Sequence, residues 1–311
     1  MIFSSKAPLA TGAAILALVA AGSTSMASPA LAGTNARPVV AVGAENEYAD
    51  VISQIGGPYV RVSAIMSNPN TDPHEFEASA GVAEVVSKAQ LIVQNGVGYD
   101  SFMNKIEAAS PLRGRDVIVA QKLLGFSSDI FNPHLWYNPR TMPLVAKAVA
   151  TDLSKLEPAH AGYFQAKEAH FVSSLQPWLA AVASFKKQYG GTPVAVTEPV
   201  ADYMLQAAGA DIMTPESLQS AIMNGTDPSP QDISTEGSLI TGHKVKVFLY
   251  NQQVTDSLTA SFLAEANKAH VPVVGVYETM PVPGYDYQSW MLAEVNALKA
   301  ALVKGTSTVR L

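Results

Sequence analysis

The amino-acid sequence predicts an α/β protein of two lobes, each a parallel sheet flanked by helices, joined by a long connector helix. Two observations lead to this class. Short, nearly continuous apolar runs, typical of strands buried on both faces, alternate with helical segments. The alternation is interrupted after His134 by a long stretch with helical periodicity alone, and it then restarts. Alternating strands and helices form parallel sheets, so two such series predict two lobes.

The first series contains four predicted strands and three predicted helices. The strands are Pro38–Ala44, Val60–Met66, Leu91–Gln94 and Val117–Ala120. The helices are Tyr48–Ile55, Val82–Ala89, for which Ser79 is a suitable N-cap, and Thr141–Leu156.

The connector is predicted over residues 159–189, where apolar side chains recur at a spacing of three, four and seven. An unbroken helix of this length spans ~46 Å. Pro177 should kink it, because proline lacks the N–H that a helix interior needs. Gly190 should end it. A helix of this length without a neighbouring strand favours small rigid movements of the lobes.

The second series repeats the strand and helix pattern. Its predicted strands are Pro193–Thr197, Val245–Tyr250 and Val271–Tyr277, and its predicted helices are Pro199–Ala208, Ser257–Ala269 and Tyr287–Leu302. Ser229 and Pro230 indicate a further helix start. The turn-rich residues 213–230 are expected to form a surface loop. The predicted boundaries are therefore 1–32 for a leader, 33–157 for the N-terminal lobe, 158–190 for the connector and 191–311 for the C-terminal lobe.

The first 32 residues have the pattern of a secretory signal peptide. Lys6 provides the positive charge, residues 13–21 form an apolar run too short to cross a bilayer, and Ala30-Leu31-Ala32 is an A-x-A cleavage site. We therefore expect a periplasmic protein whose mature chain begins at Gly33.

Composition excludes several classes of site and partner. The chain has no cysteine, which excludes disulfides, a thiolate metal site and lipid attachment at a cysteine. Without Lys6 it carries 19 basic and 26 acidic residues, a net charge of −7. With no basic patch, nucleic acid is not expected as a partner.

Two of the six histidines stand in matching contexts. His74 lies in Asp72-Pro73-His74-Glu75-Phe76 and His134 in Asn132-Pro133-His134-Leu135-Trp136, each in a loop after a predicted strand. Ligands of an open α/β sheet bind beyond the carboxyl ends of its strands, so we expect both imidazoles at a metal site. The other histidines are expected to be solvated helix or turn residues, namely His160, His170, His243 and His270.

Two glutamates occupy similar positions in the second series. Glu198 follows the strand that begins at Pro193, and Glu278 follows the strand that begins at Val271. Glu198 has an alternative role, because an acid at a helix N-terminus is favourable. Glu278 interrupts an apolar segment, and burying a lone carboxylate costs several kcal/mol unless a cation accompanies it.

The chain resembles the metal-binding periplasmic solute-binding proteins of zinc, manganese and iron ABC importers, known as cluster A-I or cluster 9. The matching segments are Val40–Asn46, Asp72–Glu77, Ser87–Gly96, Asn132–Trp136 and Val271–Thr279. The resemblance implies that the N-terminal lobe supplies His74 and His134, and that Glu198 and Glu278 are the C-terminal ligands.

The chain departs from the family pattern in three respects. It lacks a histidine-rich and acidic loop near residues 120–133, it has Glu198 where a histidine is frequent, and it has Glu278 where aspartate is usual. If both glutamates bind through two oxygens, coordination reaches six, which suits Mn²⁺ or Fe²⁺ better than the tetrahedral preference of Zn²⁺.

The predicted function is the capture of one divalent transition-metal ion, Mn²⁺ or Zn²⁺ with Fe²⁺ also open, for delivery to the membrane permease of an ABC importer. A monomer is expected. Two alternatives are a binding protein for a larger metal chelate and a secreted metallohydrolase. No H-E-x-x-H motif is present and four protein ligands would close the site, so we do not expect an enzyme.

Overall fold

The computed structural model describes residues 37–281 and 283–311, so the predicted signal peptide lies outside the described residues. The first half contains a four-stranded parallel sheet in the order β2-β1-β3-β4. Its strands are β1 (Val39–Glu45), β2 (Val60–Met66), β3 (Leu91–Gln94) and β4 (Asp116–Val119). The central strands β1 and β3 are almost wholly buried, as their continuous apolar sequences predict.

Five helices surround this sheet. They are α1 (Asn46–Gly56), α2 (Ala80–Ser87), α3 (Ser101–Ala109), α4 (Ala120–Leu124) and α5 (Thr141–Leu156). Ser79 caps α2 by accepting a hydrogen bond from the Val82 N–H, as predicted. The sequence did not indicate α3 or α4.

The connector is helical throughout except at one residue. Helices α6 (Ala161–Ser174) and α7 (Gln176–Tyr189) are separated by Leu175. Pro177 lies in the first turn of α7, where its missing N–H costs no helical hydrogen bond. The predicted interruption therefore falls two residues before the proline. Phe164, Phe171 and Trp178 form part of its buried apolar face.

The second half repeats the topology of the first, with a parallel sheet in the order β6-β5-β7-β8. The strands are β5 (Pro193–Val196), β6 (Asp211–Ile212), β7 (Val247–Asn251) and β8 (Val273–Val276). The helices are α8 (Asp202–Ala207), α9 (Glu216–Met223), α10 (Pro230–Thr241), α11 (Ser257–Lys268) and α12 (Tyr287–Lys304). These two sheets confirm the predicted fold class.

Helix α9 corrects the expectation that residues 213–230 form a surface loop. Its side chains Leu218 and Ile222 belong to the buried core of the second half, and Met223 is also buried. The turn-forming residues around it determined the sequence prediction, although the eight residues between them form a helix.

A row of hydrogen bonds joins α1 to the second half of the chain. Asn46, Asp50 and Gln54, spaced four residues apart, lie on one face of α1. The Asn46 amide exchanges two hydrogen bonds with the Met280 backbone, of 2.8 and 2.9 Å. Asp50 accepts from the Tyr287 N–H at 2.9 Å, and the amides of Gln54 and Gln288 bond each other. We call these contacts the α1 seam.

Within the described ranges, the structure contains no helix that combines the length and apolar character needed to cross a bilayer.

Candidate metal centre

His74 is held by a short turn that its neighbours dictate. Pro73 opens a single 3-10 turn, Pro73–Glu75, and the Asp72 carboxylate accepts a hydrogen bond of 2.8 Å from the His74 N–H. An Asx side chain that bonds the backbone two residues ahead is a self-contained turn. The turn directs the imidazole inward, where its side chain is 22% exposed.

His134 is held by the same device, which accounts for the matching sequence contexts. The Asn132 Oδ1 atom accepts from the His134 N–H at 2.8 Å and lies 2.8 Å from the ring Nδ1. Asn132 donates its own amide N–H to the Pro199 carbonyl, which fixes the orientation of the amide. Because Oδ1 can only accept, Nδ1 carries a proton, and in the neutral ring Nε2 presents a lone pair.

Both imidazoles lie against the same carboxylate oxygen of Glu278. Its Oε2 atom lies 3.1 Å from Nε2 of His74 and 3.2 Å from Nε2 of His134. The Tyr99 hydroxyl also donates to Oε2, at 2.9 Å. The Glu278 side chain is fully buried. Among the described residues, His74, His134 and Glu278 form a cluster whose ligand atoms lie within 4.8 Å of one another.

Glu198 is near this cluster but reaches it through another side chain. The Asn251 amide nitrogen donates to Oε2 of Glu198 at 3.2 Å and to Oε1 of Glu278 at 2.7 Å. Glu198 is only 2% exposed, and its Oε1 atom has no hydrogen-bond partner in the described part of the chain. The structure therefore brings three of the four predicted residues into direct contact and places the fourth one amide away.

The ionisation of these groups follows from burial and from their mutual charges. Burial lowers the pKa of His134, and the nearby Glu278 carboxylate does not compensate fully. Burial also opposes protonation of His74, but the hydrogen bond and charge of Glu278 outweigh it and raise the pKa of His74. Burial would raise the pKa of Glu278, yet the two histidines hold it well below the usual range.

Glu198 behaves in the opposite way. Burial and then the negative charge of Glu278 raise its pKa well above the usual range. The site thus contains an ionised Glu278 and a second carboxyl that needs a positive neighbour before it loses its proton.

The Nε2 atom of His134 and the Oε2 atom of Glu278 face each other, and both are acceptors when the His134 ring is neutral and Glu278 is ionised. At 3.2 Å, two lone pairs repel unless a proton or a cation lies between them. Neutral imidazole nitrogen and carboxylate oxygen are the donors that divalent transition metals accept. The arrangement is therefore chemically suited to hold a cation.

Three residues that the sequence analysis did not single out complete the surroundings. Tyr99 and Asn251 contact Glu278 directly, and Gln253 binds its backbone. The Gln253 Oε1 atom accepts from the N–H groups of Glu278 at 2.7 Å and of Thr279 at 2.9 Å. Its amide nitrogen donates to the Thr71 carbonyl at 2.9 Å, in the loop that precedes His74. Asn251 and Gln253 follow the rule that identified the glutamates, because they lie at and just beyond the end of a strand.

Tyr99 is presented by a strained loop. Gly96, Val97 and Gly98 all have positive φ, of 87°, 56° and 79°, and Val97 is a β-branched residue for which this is unfavourable. The Asp100 carboxylate holds the loop by accepting from the N–H groups of Asn95 and Gly96. Strain of this kind persists where the surrounding structure fixes it, and here it places a phenol against Glu278.

The remaining histidines lie away from the cluster. His160 stacks on Tyr59 with a centroid distance of 3.8 Å, and His170 is exposed on α6. His243 and His270 are turn residues with positive φ.

A cavity of about 600 Å³ opens beside His74 and Tyr99. Phe76, Phe131 and Lys105 line it from the first half, and Ser220, Met223 and Asn224 line it from α9 and its C-terminal end. This cavity connects the partly exposed face of His74 with solvent.

The known proteins that this chain resembles are described as zinc-uptake or metal-binding proteins. Residues 42–301 match the model of a family described as the zinc-uptake complex component A, periplasmic. The zinc-binding protein TroA of Treponema pallidum is 32% identical over 117 residues, which are 35% of this chain and 37% of TroA. The manganese-binding lipoprotein MntA of Bacillus subtilis is 25% identical over 137 residues, 42% of this chain and 44% of MntA. The matched segments span less than half the length of these two relatives.

Solved structures share the fold. A manganese-bound periplasmic metal-binding protein from Candidatus Liberibacter asiaticus has a TM-score of 0.68 at 16% identity, covering 85% of this chain and 99% of that one. A solute-binding protein from P. aeruginosa in complex with Ni²⁺ has a TM-score of 0.69 at 20% identity, covering 88% and 100%. At these identities the likeness establishes the two-lobed architecture.

Proposed function

The chain belongs to the family of periplasmic component A proteins of zinc-uptake complexes, and from this premise we propose that it captures one divalent transition-metal ion. The ion is the cargo, Zn²⁺ or Mn²⁺, and the receiving partner is the membrane permease of an ABC importer. The choice of these two metals is supported by two relatives, since TroA is described as zinc-binding and MntA as manganese-binding. The proposed ligands are His74, His134, Glu278 and Glu198.

One observation carries the proposal. The Nε2 atom of His134 and the Oε2 atom of Glu278 lie 3.2 Å apart inside the protein, and the lowered pKa values of both groups favour a neutral ring beside an ionised carboxylate. A divalent ion between them would replace the repulsion of two acceptors with two coordinate bonds. Tyr99 and Asn251 also donate to Glu278, but both are neutral, and His74 supplies a positive charge there only while its ring is protonated.

Four protein ligands leave no open position for a reacting water, so the proposal includes no enzymatic activity. It also assigns no nucleic-acid partner, because the chain is acidic, with a formal net charge of −6. We propose that the protein is a monomer. Its N-terminal lobe would comprise residues 33–157, its connector residues 158–190 and its C-terminal lobe residues 191–311.

The proposed location is the periplasm, after cleavage behind Ala32. The description of the family as periplasmic supports this location. The A-x-A pattern supports cleavage of the leader, and the absence of cysteine supports an N-terminus without lipid. The mass of the protein from a periplasmic extract tests this, and a retained leader or an added lipid would contradict it.

The metal content of the same preparation tests the main proposal. We expect one Zn²⁺ or Mn²⁺ per chain by elemental analysis, and one site when the chelator-treated protein is titrated with either ion. His170→Ala, which changes an exposed histidine on α6, is the matched control and should leave the stoichiometry at one. A chain that binds neither ion with His134 intact would overturn the proposal.

A further inference from the structure

Asn251 lies between the two glutamates, as the last residue of β7 and fully buried. Its amide nitrogen lies 2.7 Å from Oε1 of Glu278 and 3.2 Å from Oε2 of Glu198. One NH₂ group with two protons therefore serves two carboxyl groups at once.

The orientation of this amide is fixed by the backbone. The Gln253 N–H donates to the Asn251 Oδ1 atom at 3.0 Å, and a backbone N–H can only donate. The oxygen end of the amide must therefore face Gln253, and the nitrogen end must face the glutamates. The Asn251 N–H is itself bound to the Thr197 hydroxyl at 3.0 Å, which anchors the residue directly before Glu198.

The consequence is a division of the carboxylate oxygens. Each glutamate has one oxygen bound to Asn251, namely Oε1 of Glu278 and Oε2 of Glu198. The other oxygen of Glu278 faces the two imidazoles and accepts from the Tyr99 hydroxyl, and the other oxygen of Glu198 is buried without a hydrogen-bond partner among the described residues. Each glutamate thus has one oxygen that is not bound to Asn251, and that of Glu278 already lies in the cluster with the imidazoles.

We propose that Asn251 is a positioning residue that limits both glutamates to one-oxygen ligands and thereby sets the metal preference of the site. The proposal rests on the proposed function. Two imidazole nitrogens and two single carboxylate oxygens make a four-coordinate site, the geometry that Zn²⁺ adopts in proteins. Two-oxygen binding by both glutamates would instead give the six-coordinate site that suits Mn²⁺. Asn251 opposes that arrangement and moves the preference toward Zn²⁺.

The test removes the amide and measures the geometry of the bound ion. Asn251→Leu keeps the approximate size, and Asn251→Ser gives a smaller, polar alternative should the leucine variant fold poorly. Thr214→Val is the matched control, because it removes a buried hydroxyl, which accepts from the Val196 N–H of β5 and donates to Glu236, without touching Glu198 or Glu278. Each protein is loaded with Co²⁺, which absorbs strongly in the visible range when four-coordinate and weakly when six-coordinate.

We expect intense bands from the wild type and from Thr214→Val, and weaker bands from both Asn251 variants. In a Zn²⁺/Mn²⁺ competition the Asn251 variants should shift toward Mn²⁺ by about tenfold, the lower end of the effect of losing a hydrogen bond to a metal ligand. Weak bands from the wild type, or unchanged bands and preference in both Asn251 variants, would overturn this inference.

The two proposals fail in different ways. A wild type that binds no divalent ion removes the proposed function itself. A wild type that binds one ion through His134, with no response to either Asn251 substitution, removes only the role of Asn251.

Discussion

The Nε2 atom of His74 lies 3.1 Å from the Oε2 atom of Glu278, across 204 positions of the chain by their numbering. His74 is held by a turn in the first half of the protein, and Glu278 follows β8 of the second half. The same carboxylate oxygen also receives His134, so one atom of the second half faces both imidazoles of the first. Glu278 is consequently the residue whose loss should affect every metal.

Glu278→Gln should weaken the binding of both Zn²⁺ and Mn²⁺ by more than about 100-fold. Glutamine keeps the shape of the side chain but removes the charge, and losing a ligand should exceed the roughly 10- to 100-fold effect of losing a partner of a ligand. Competition titration against a chelator measures the affinity. Glu84→Gln, at an exposed residue of α2, is the control. Unchanged affinity for either ion would remove Glu278 from the ligand set.

His74→Ala and His134→Ala should both abolish binding, but the second should destabilise the metal-free protein more. The His134 side chain is fully buried and bonded to Asn132, whereas that of His74 is 22% exposed. The substitution removes the ring hydrogen bond to the Asn132 oxygen, which keeps the backbone N–H of residue 134, at about 0.5–1.5 kcal/mol, and it also leaves a cavity in place of the buried ring. Urea denaturation and calorimetric titration separate the two effects. Equal destabilisation by both substitutions would contradict the difference in burial.

The affinity for Zn²⁺ should fall about a hundredfold per pH unit below about pH 6.5, the displacement of two protons. The pKa of His74 is raised, that of His134 is lowered, and that of Glu198 is raised well above the usual range, so His74 and Glu198 each carry a proton to be displaced in mild acid. The His74 proton stabilises the metal-free fold below the unfolded pKa, and that contribution is lost as pH rises through the raised folded pKa. Titrations across about one pH unit below about pH 6.5 give the slope, and a slope of three protons would contradict a lowered His134 pKa.

Gln253→Ala should loosen the loop that carries His74. Gln253 joins the Thr71 carbonyl to the backbone of Glu278 and Thr279, and its removal leaves buried N–H groups unpaired, at about 1–3 kcal/mol. Hydrogen exchange over residues 67–76 should become faster, and metal affinity should fall. Gln252→Ala is the matched control. The side-chain amide nitrogen of Gln252 is buried next to Gln253 in the chain but has no hydrogen-bond partner among the described residues. Equal effects of the two substitutions would count against the role of Gln253.

Glu294→Gln should stabilise the protein more at pH 8 than at pH 5. Burial raises the pKa of Glu294 to about 8, against 4.5 in an exposed carboxyl. Between these values the unfolded chain has released a proton that the folded protein retains, so wild-type stability falls as pH rises, by about 1.4 kcal/mol per unit at most. Glutamine has no proton to lose. Urea midpoints at both pH values test this, and a benefit that is the same at pH 5 and pH 8 would contradict it.

The sequence predicted the elements whose signal is local. Continuous apolar runs identified the central strands, and β2 and α5 have the predicted bounds, because burial on one or both faces leaves a periodic pattern. The two-residue strand β6 and the short helix α4 carry too few residues for such a pattern. Helix α9 was missed because Pro215 and the Asn224-Gly225 turn lie directly beside it.

The candidate metal centre also has parts that local sequence predicts and parts that it does not. The turns at His74 and His134 are local, since an Asx residue two positions earlier and an intervening proline fix each one. The Asn251 bridge and the Tyr99 contact are not, because Tyr99 and Glu278 are 179 positions apart and only the packing of the two halves joins them. No periodicity or motif at one position encodes a hydrogen bond of that separation.

The α1 seam affects how a metal ion can reach the cluster of His74, His134 and Glu278. It fastens the two halves along one edge, from Asn46 to Gln288. At the rim of the cavity beside His74, by contrast, the amide of Asn224 bonds only Ser220 of α9 within the described chain. Further hydrogen bonds join the halves around the cluster, from Asn132 to Pro199 and from Gln253 to Thr71, so the rim near Asn224 is where such bonds are fewest among the described residues. The cavity there offers an ion a route to the partly exposed His74, and whatever covers the rim near Phe76 and Asn224 would restrict that route.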